Sequence, residues 1–153
     1  MKKVSTIQGI SEIINYYDIF ILDQWGVMHD GVCGFSCAIQ CIEKLFQKKK
    51  KMIIISNSSR RKALTIDKLP KLGFSKEYFS EVMTSGEMIW NSLNSKADLW
   101  AKNLGPNCYH LYDRENVDAQ NYIKGLNYNF VDNVDKADFI LGCTPFFKSK
   151  NGA

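Results

Sequence analysis

Two polar residues directly follow two short apolar runs in this sequence, and their side chains suit phosphoryl-transfer chemistry. Asp23 follows the run at 19–22, and Ser56 follows the run at 52–55. Because the carboxyl ends of neighbouring parallel strands meet in one crevice, we expect the two side chains to share a site. A carboxylate there can attack an electrophile and form an acyl intermediate, and a hydroxyl can bind an anion. The alternative for Asp23 is an aspartate that only caps a strand-end turn.

The polar segment after Ser56 is a candidate anion-binding segment. Asn57, Ser58 and Arg60 precede or begin a predicted helix, and the backbone N–H groups of a helix N-terminus favour negative charge. We therefore identify these three as candidate substrate-binding residues, and Arg60 and Arg61 as candidates to contact an anionic substrate. The alternatives are that the segment is only a cap and turn, and that both arginines are solvated.

The elements that must position these residues alternate between strand and helix. Such alternation predicts right-handed βαβ units and a parallel α/β sheet. The predicted strands are 18–22, 52–55 and 81–84, and the predicted helices are 11–17, 36–47, a segment that starts near residue 60, and about 87–93. The first strand is apolar throughout, so we expect it to be covered on both faces.

The pattern changes after Gly105 and Pro106. Strands are predicted at 108–112, 128–131 and 138–142, and a helix at 117–126. We therefore predict two domains, at 1–105 and 106–153, each of α/β type.

Composition narrows the class of protein. The net charge of +4, from 20 basic and 16 acidic residues, is too small to favour a nucleic-acid partner. No apolar run approaches the ~18 residues of a membrane span, and polar residues after Lys2 and Lys3 break up any secretory leader. We therefore expect a cytoplasmic protein with no membrane partner.

Cysteines and tryptophans are expected to have structural roles. The five cysteines lack the usual CxxC pairing and a fourth ligand, so we expect buried or half-buried free thiols rather than a metal site. We expect the tryptophans Trp25, Trp90 and Trp100 to be packing residues, with Trp25 bordering the site.

Four stretches resemble the haloacid dehalogenase superfamily, in particular its class IIA branch of sugar-phosphatase-like hydrolases. They are residues 17–31 (YDIFILDQWGVMHDG), 53–61 (IIISNSSRR), 84–87 (TSGE) and 137–142 (ADFILG). The first two are specific in combination. The resemblance implies an incomplete Rossmann-like core followed by the start of an α/β cap of the C2 type.

The resemblance also implies a Mg²⁺-dependent hydrolase that acts on a small phosphorylated or related anionic substrate. Asp23 would be the nucleophile and a metal ligand, the backbone carbonyl of Trp25 a second ligand, and Ser56 the group that holds the phosphoryl. Mg²⁺ suits this role because it binds few protein oxygens and keeps phosphate oxygens and waters around it.

The sequence departs from the family pattern in two places. Trp25 stands where most phosphatases of the superfamily carry a second aspartate as general acid and base, and His29 or Asp30 is a candidate substitute if the two are not simply turn residues. The family's third motif, a lysine, and its fourth, acidic metal ligands, follow the cap, whereas this sequence ends at Ala153 within it. The first strand is then expected to have an exposed edge and an open apolar face.

Three hypotheses follow. The first is a class IIA hydrolase portion that is weak or inactive alone. The second is a non-catalytic α/β module that binds a phosphate-bearing ligand or a complementary C-terminal half. The third is a remnant that does not fold stably.

Overall fold

The computed structural model of the protein describes residues 6–143. Lys2, Lys3 and the end of the predicted second domain, 144–153, lie outside the described residues. The described chain forms two compact units, one of residues 6–56 with 63–83 and one of 57–62 with 84–143. These units group residues by packing, and the division predicted between residues 105 and 106 stays a prediction.

The first unit contains a sheet with strand order β1-β2-β3. Its strands are β1 (Ile19–Leu22), β2 (Lys51–Ser56) and β3 (Glu81–Thr84). β1 and β2 are parallel, with Leu22 opposite Ile54. The predicted strands are therefore found, and the parallel α/β fold is confirmed.

One face of the sheet packs on the core of the first unit. Met52 and Ile54 of β2 are fully buried, and Phe20 and Leu22 of β1 pack against the same cluster. The amphipathic helix α1 (Ser36–Gln47) adds Ile42 and Leu45, because apolar residues at helical spacing share one side of the helix. The structure places α1 where the sequence predicts it.

The other face of β1 is open, so the prediction that both faces are covered is wrong. Ile19 is 51% exposed and Ile21 is 64% exposed. The reason is that β1 is an edge strand of the described sheet, and the helical cover lies on the side of Phe20 and Leu22. Within residues 6–143, β1 therefore has the exposed edge and open apolar face that the family resemblance implies.

Helix starts and ends differ from the predictions. The predicted first helix consists of two short 3-10 turns, Ile10–Glu12 and Ile14–Tyr16. The helix expected from residue 60 is α2 (Lys62–Lys68), which continues into a 3-10 turn, Leu69–Leu72, that Gly73 ends.

The second unit has its own parallel sheet, with strand order β5-β4-β6. The strands are β4 (Asn107–Leu111), β5 (Asn129–Phe130) and β6 (Phe139–Gly142), and the helices are α3 (Ser85–Ser95), α4 (Leu99–Lys102) and α5 (Val117–Asn121). Its buried cluster is Leu93, Cys108, Ala119, Tyr122, Leu126, Leu141 and Cys143. The sequence predicts a longer α5, up to residue 126.

All five cysteines are free, as predicted. Cys108 and Cys143 are buried and Cys41 is half-buried, but Cys33 and Cys37 are exposed, so the predicted burial is wrong for these two. Among residues 6–143, no helix is long and apolar enough to cross a membrane.

Candidate functional site

Asp23 and Ser56 lie at the carboxyl ends of the neighbouring parallel strands β1 and β2. Asp23 is the first residue after β1 and is exposed, and Ser56 is the buried last residue of β2. The Asp23 Oδ1 atom accepts the backbone N–H of Gln24 at 2.7 Å. This bond holds Oδ1 against the backbone of the loop. The second carboxylate oxygen, Oδ2, accepts no hydrogen bond from residues 6–143.

The loop that follows β1 is fixed by its own backbone. The carbonyl of Gln24 accepts the N–H groups of Val27 at 3.2 Å and Met28 at 2.7 Å, and the N–H of Gly26 donates to the carbonyl of His29 at 2.8 Å. Gln24 and Met28 are buried. The backbone of the segment after Asp23 is therefore anchored, while the side chains of Trp25 and Val27 are exposed.

His29 and Asp30, the candidate substitutes for a second aspartate, both take part in this loop. The N–H of Gly31 donates to Nδ1 of His29 at 3.0 Å, so the neutral ring carries its proton on Nε2. Burial lowers the pKa of His29, and the charges of Asp30 and Asp23 only partly oppose this shift. His29 is therefore a neutral hydrogen-bond donor near neutral pH.

The carboxylate of Asp30 closes a tight turn. Its Oδ1 atom accepts the N–H groups of Val32 and Cys33, each at 2.8 Å. These backbone hydrogen bonds lower the pKa of Asp30. The geometry is that of a structural turn, and a proton-transfer role for either His29 or Asp30 stays a prediction.

Of the three tryptophans predicted to be core or packing residues, Trp90 packs against the buried cluster of the second unit, whereas Trp25 and Trp100 are exposed and are not core residues. The Trp25 ring contacts the loop from outside, edge-to-face against His29. Its backbone carbonyl accepts no hydrogen bond from residues 6–143. That oxygen is therefore available as a ligand.

The predicted substrate-binding residues belong to the second unit, where they line one cavity. Asn57, Ser58 and Arg60 line a space of about 570 Å³ together with Ser59, Asn116, Asp118, Ala119, Tyr122, Gly142 and Cys143. The Arg60 Nε atom lies 3.9 Å from Oδ2 of Asp118, and both side chains are partly exposed. The structure therefore brings these three predicted residues together.

Arg61 does not lie free in solvent. Its Nε and Nη2 atoms donate to the two carboxylate oxygens of Glu87, at 2.7 and 3.2 Å, and its guanidinium stacks 3.7 Å from the centre of the Trp90 ring. Glu87 also accepts the N–H of Lys62 at 3.0 Å. Hydrogen bonds from Arg61 are the main reason that the pKa of Glu87 is lowered. Arg61 is therefore a structural residue of the segment that carries Arg60.

Backbone contacts complete the fixing of this segment. The N–H of Gly86 donates to the carbonyl of Ser58 at 3.0 Å, and the Thr84 hydroxyl donates to the carbonyl of Arg60 at 2.6 Å. Thr84 also caps α3, since its hydroxyl oxygen accepts the N–H of Glu87 at 3.0 Å. The spacing Thr84-x-x-Glu87 is the signal of a helix cap, but nothing in it indicates that Glu87 turns instead to Arg61.

The thiol of Cys143 lines the same cavity but is not activated. Its Sγ atom lies 3.2 Å from Nε2 of His110. Burial raises the pKa of Cys143 to about 11 and lowers the pKa of His110. Near neutral pH the pair is therefore a neutral thiol beside a neutral imidazole, which does not supply a thiolate nucleophile.

Two protein groups close in sequence carry oxygens of the kind that Mg²⁺ binds. They are the Asp23 carboxylate, whose Oδ1 keeps a lone pair beside the N–H of Gln24, and the backbone carbonyl of Trp25. No group of three or more His, Cys, Asp or Glu side chains within residues 6–143 has the arrangement of a metal site. Mg²⁺ commonly keeps several waters and takes few protein ligands, and a magnesium site built on these two groups stays a prediction.

Comparison with known proteins supplies the family. Residues 20–119 match the family described as haloacid dehalogenase-like hydrolase. A haloacid dehalogenase-like hydrolase from Brucella suis 1330 has a similar fold, with a TM-score of 0.73 and 21% identity, over 90% of this chain and 48% of that one. A hypothetical protein from Pyrococcus horikoshii OT3 gives a TM-score of 0.51 and 18% identity, over 75% of this chain and 41% of that one.

This chain thus spans less than half the length of these two solved structures. A search of curated proteins found no significant match.

Proposed function

Because the chain belongs to the haloacid dehalogenase-like hydrolase family, we propose that it carries the nucleophile of a class IIA, Mg²⁺-dependent phosphatase-type reaction. One observation carries this proposal. Asp23 and Ser56 stand at the carboxyl ends of two neighbouring parallel strands, which is where α/β sheets bind ligands.

Asp23 would act as the nucleophile. The N–H of Gln24 holds Oδ1, which leaves Oδ2 to attack phosphorus. A new bond would form between Oδ2 and phosphorus as the bond to the leaving-group oxygen breaks, and water would then hydrolyse the acyl phosphate. The hydroxyl of Ser56 would donate to an oxygen of the transferring phosphoryl group.

Mg²⁺ would be held by Asp23 and by the carbonyl of Trp25. When bound, it would neutralise the negative charge that nucleophile and phosphate bring together. The chain's own contribution is to place the two oxygens on an anchored loop, so that little rearrangement is needed during the reaction.

The substrate's leaving group must depart without help from a general acid at position 25. Trp25 stands where most phosphatases of the superfamily carry a second aspartate. The indole of Trp25 has no group that transfers a proton. We therefore expect the best substrates to be phosphate compounds whose leaving group departs readily without prior protonation, such as acyl or aryl phosphates.

Asn57, Ser58 and Arg60 are proposed to bind substrate. Their support is the shared cavity of the second unit, which combines amide, hydroxyl and guanidinium donors. Arg60 is the cation of this group, and its partner Asp118 at 3.9 Å is too distant and too exposed to hold it strongly. An anionic substrate would compete with Asp118 for Arg60.

The test is Mg²⁺-dependent release of phosphate by the full chain from a panel that includes acetyl phosphate and phenyl phosphate. Asp23→Asn should lower the rate at least about 1000-fold, and chelation of Mg²⁺ should do the same. Asp18→Asn is the matched control, because Asp18 is an exposed aspartate just before β1, at its opposite end, and should leave the rate unchanged.

Release that persists in Asp23→Asn, or that needs no metal, would contradict the proposal. If wild type binds these phosphate compounds without turnover, the result would exclude an enzyme that is active on its own and would leave the non-catalytic phosphate-binding module or a hydrolase portion that needs a complementary half.

A further inference from the structure

Trp25 is an exposed tryptophan that its own loop holds in place. Its side chain is 67% exposed. Its ring stands edge-to-face against His29, with centroids 5.8 Å apart and an interplanar angle of 86°. Gly31 lies so close that a Cβ atom there would be 2.2 Å from the six-membered ring. The indole is therefore supported along part of its surface and open over the rest.

The support itself is built from fixed groups. His29 is buried, and its Nδ1 atom accepts the N–H of Gly31, so the residues that touch the indole are also bonded to each other. Gly31 has a φ of +93°, which favours glycine, and the Asp30 carboxylate closes the turn behind it. The ring thus rests on a turn whose shape is set by several independent hydrogen bonds.

Packing does not account for this arrangement. A tryptophan usually buries a large apolar area, and most of that benefit is absent here. Exposed aromatic side chains that are already ordered are effective binding surfaces, because they lose little further conformational freedom when a ligand packs on them. The open part of the indole is therefore suited to contact a ligand.

The position of Trp25 relates this surface to the proposed chemistry. It lies two residues after Asp23, and the buried Gln24 anchors the backbone between them. The charge of Asp23 acts on His29, the residue that the Trp25 ring contacts. The indole N–H is a hydrogen-bond donor but too weak an acid for general acid catalysis, so the main contribution of this side chain is the flat apolar face of its ring.

We infer that Trp25 determines specificity by packing against a flat, apolar ring face on the group attached to phosphorus. This inference rests on the proposed function, and it defines the substrate as a phosphate compound with a ring-bearing leaving group. Both an aromatic ring and the apolar face of a sugar ring can pack on the indole, but only an aryl oxide also departs readily without prior protonation, so an aromatic ring is the expected substrate group.

The experiment measures binding without bond cleavage. Calorimetry with the full chain and Mg²⁺ would compare three phosphonates: phenylphosphonate, a C-glucosylmethylphosphonate and propylphosphonate. In each of them carbon joins the organic group to phosphorus, so the proposed reaction does not cleave it. We expect a ring-bearing ligand to bind about five- to tenfold more tightly than propylphosphonate. Preference for the phenyl compound identifies an aromatic ring, and preference for the glucosyl compound identifies a sugar.

Three variants test whether Trp25 is responsible. Trp25→Ala keeps the backbone carbonyl that is proposed to hold Mg²⁺ and should reduce the ratio of ring-bearing to ring-free affinity to about one. Cooperative unfolding in urea shows that the variant is folded. Trp25→Phe should keep most of the preference. Trp100→Ala is the matched control, since Trp100 is also exposed (46%) but belongs to the second unit.

Two results would overturn the inference: no ring preference in wild type, or a Trp25→Ala variant that weakens ring-bearing and ring-free ligands equally. The proposed function fails separately, by phosphate release that does not depend on Asp23. The two failures are therefore distinguishable.

Discussion

The loop after β1 and the segment after β2 both carry candidate site residues, and different contacts hold each of them. In the first, the Gln24 carbonyl and the Asp30 carboxylate bond to N–H groups at most five residues away. In the second, residues 58–62 are held by Thr84, Gly86 and Glu87.

The loop after β1 is ordered by contacts between residues close in sequence, and the segment after β2 by contacts with residues distant in sequence. A loop closed by neighbours in sequence forms with little loss of chain entropy, whereas one closed by residues some 25 positions away depends on the folding of the whole unit. The segment after β2 should therefore respond more strongly to single substitutions than the loop after β1.

The largest loss of stability is expected from a substitution at Gly86 in the second unit. A Cβ atom at Gly86 would lie 2.1 Å from the carbonyl oxygen of Ser59 and 2.6 Å from that of Arg60, and backbone cannot move aside cheaply. Gly86→Ala should lower the free energy of unfolding by about 3–4 kcal/mol, measured by urea denaturation. Gly142→Ala is the control, because nothing lies within 4 Å of a Cβ there, and a loss of equal size in both would contradict the argument.

The next largest loss of stability is expected when the ion pair between Arg61 and Glu87 is broken. Glu87→Ala leaves the guanidinium of Arg61 without its partner in a partly buried position, with 29% of the Arg61 side chain exposed. We expect a loss of about 2–3 kcal/mol in the free energy of unfolding. The exposed pair of Lys76 and Asp67 in the first unit is the matched comparison, and Asp67→Ala should cost less than about 1 kcal/mol. Equal losses would remove the distinction between the two units.

A smaller loss of stability is expected from a substitution at Gly31, in the loop after β1. A Cβ atom at Gly31 also meets a neighbour at 2.2 Å, but that neighbour is the ring of Trp25, and displacing a side chain from its place on the turn costs less than displacing backbone. Gly31→Ala should lower the free energy of unfolding by about 1–2 kcal/mol, mainly from the positive φ. A double-mutant cycle with Trp25→Ala isolates the ring contact, and a cost at Gly31 as large as that at Gly86 would show that displacing the ring costs as much as displacing backbone.

The smallest effect is the pH dependence of the Arg61 and Glu87 pair. Because hydrogen bonds from Arg61 hold the folded pKa of Glu87 below its ordinary value of 4.5, the contribution of Glu87 to stability is present above that pH and is lost as pH falls through the folded pKa. The difference in unfolding free energy between wild type and Glu87→Gln should therefore narrow from about pH 6 to about pH 3. A difference that does not change over this range would rule out Glu87 as the titrating group.

The sequence predicts the first loop better than the second segment for the same physical reason. The apolar runs before Asp23 and Ser56 have the length and composition of strands, and the Asp30-Gly31 pair indicates a turn, so both can be inferred locally. The pairing of Arg61 with Glu87 joins residues 26 positions apart. No local pattern indicates it, since a glutamate three residues after Thr84 predicts a capping role.

Burial was predicted less well than secondary structure. The run at β1 has the composition of a strand covered on both faces, yet Ile19 and Ile21 are exposed. Trp25 is a large aromatic residue of a type usually found packed in a core, yet its side chain is exposed to solvent. In both places an apolar side chain lies next to a proposed reacting group or at a sheet edge, where composition alone does not determine which neighbours are present.

The distribution of thiols gives the two units different chemical reactivity. Cys33 and Cys37 are exposed in the first unit, whereas Cys108 and Cys143 are buried in the second and burial raises the pKa of each to about 11. Alkylating reagents near neutral pH react with accessible thiols and leave buried, protonated ones intact. Maleimide dyes should therefore attach at Cys33 and Cys37, close to the loop that follows β1, so the native chain already contains two neighbouring positions for selective fluorescent labelling of the first unit.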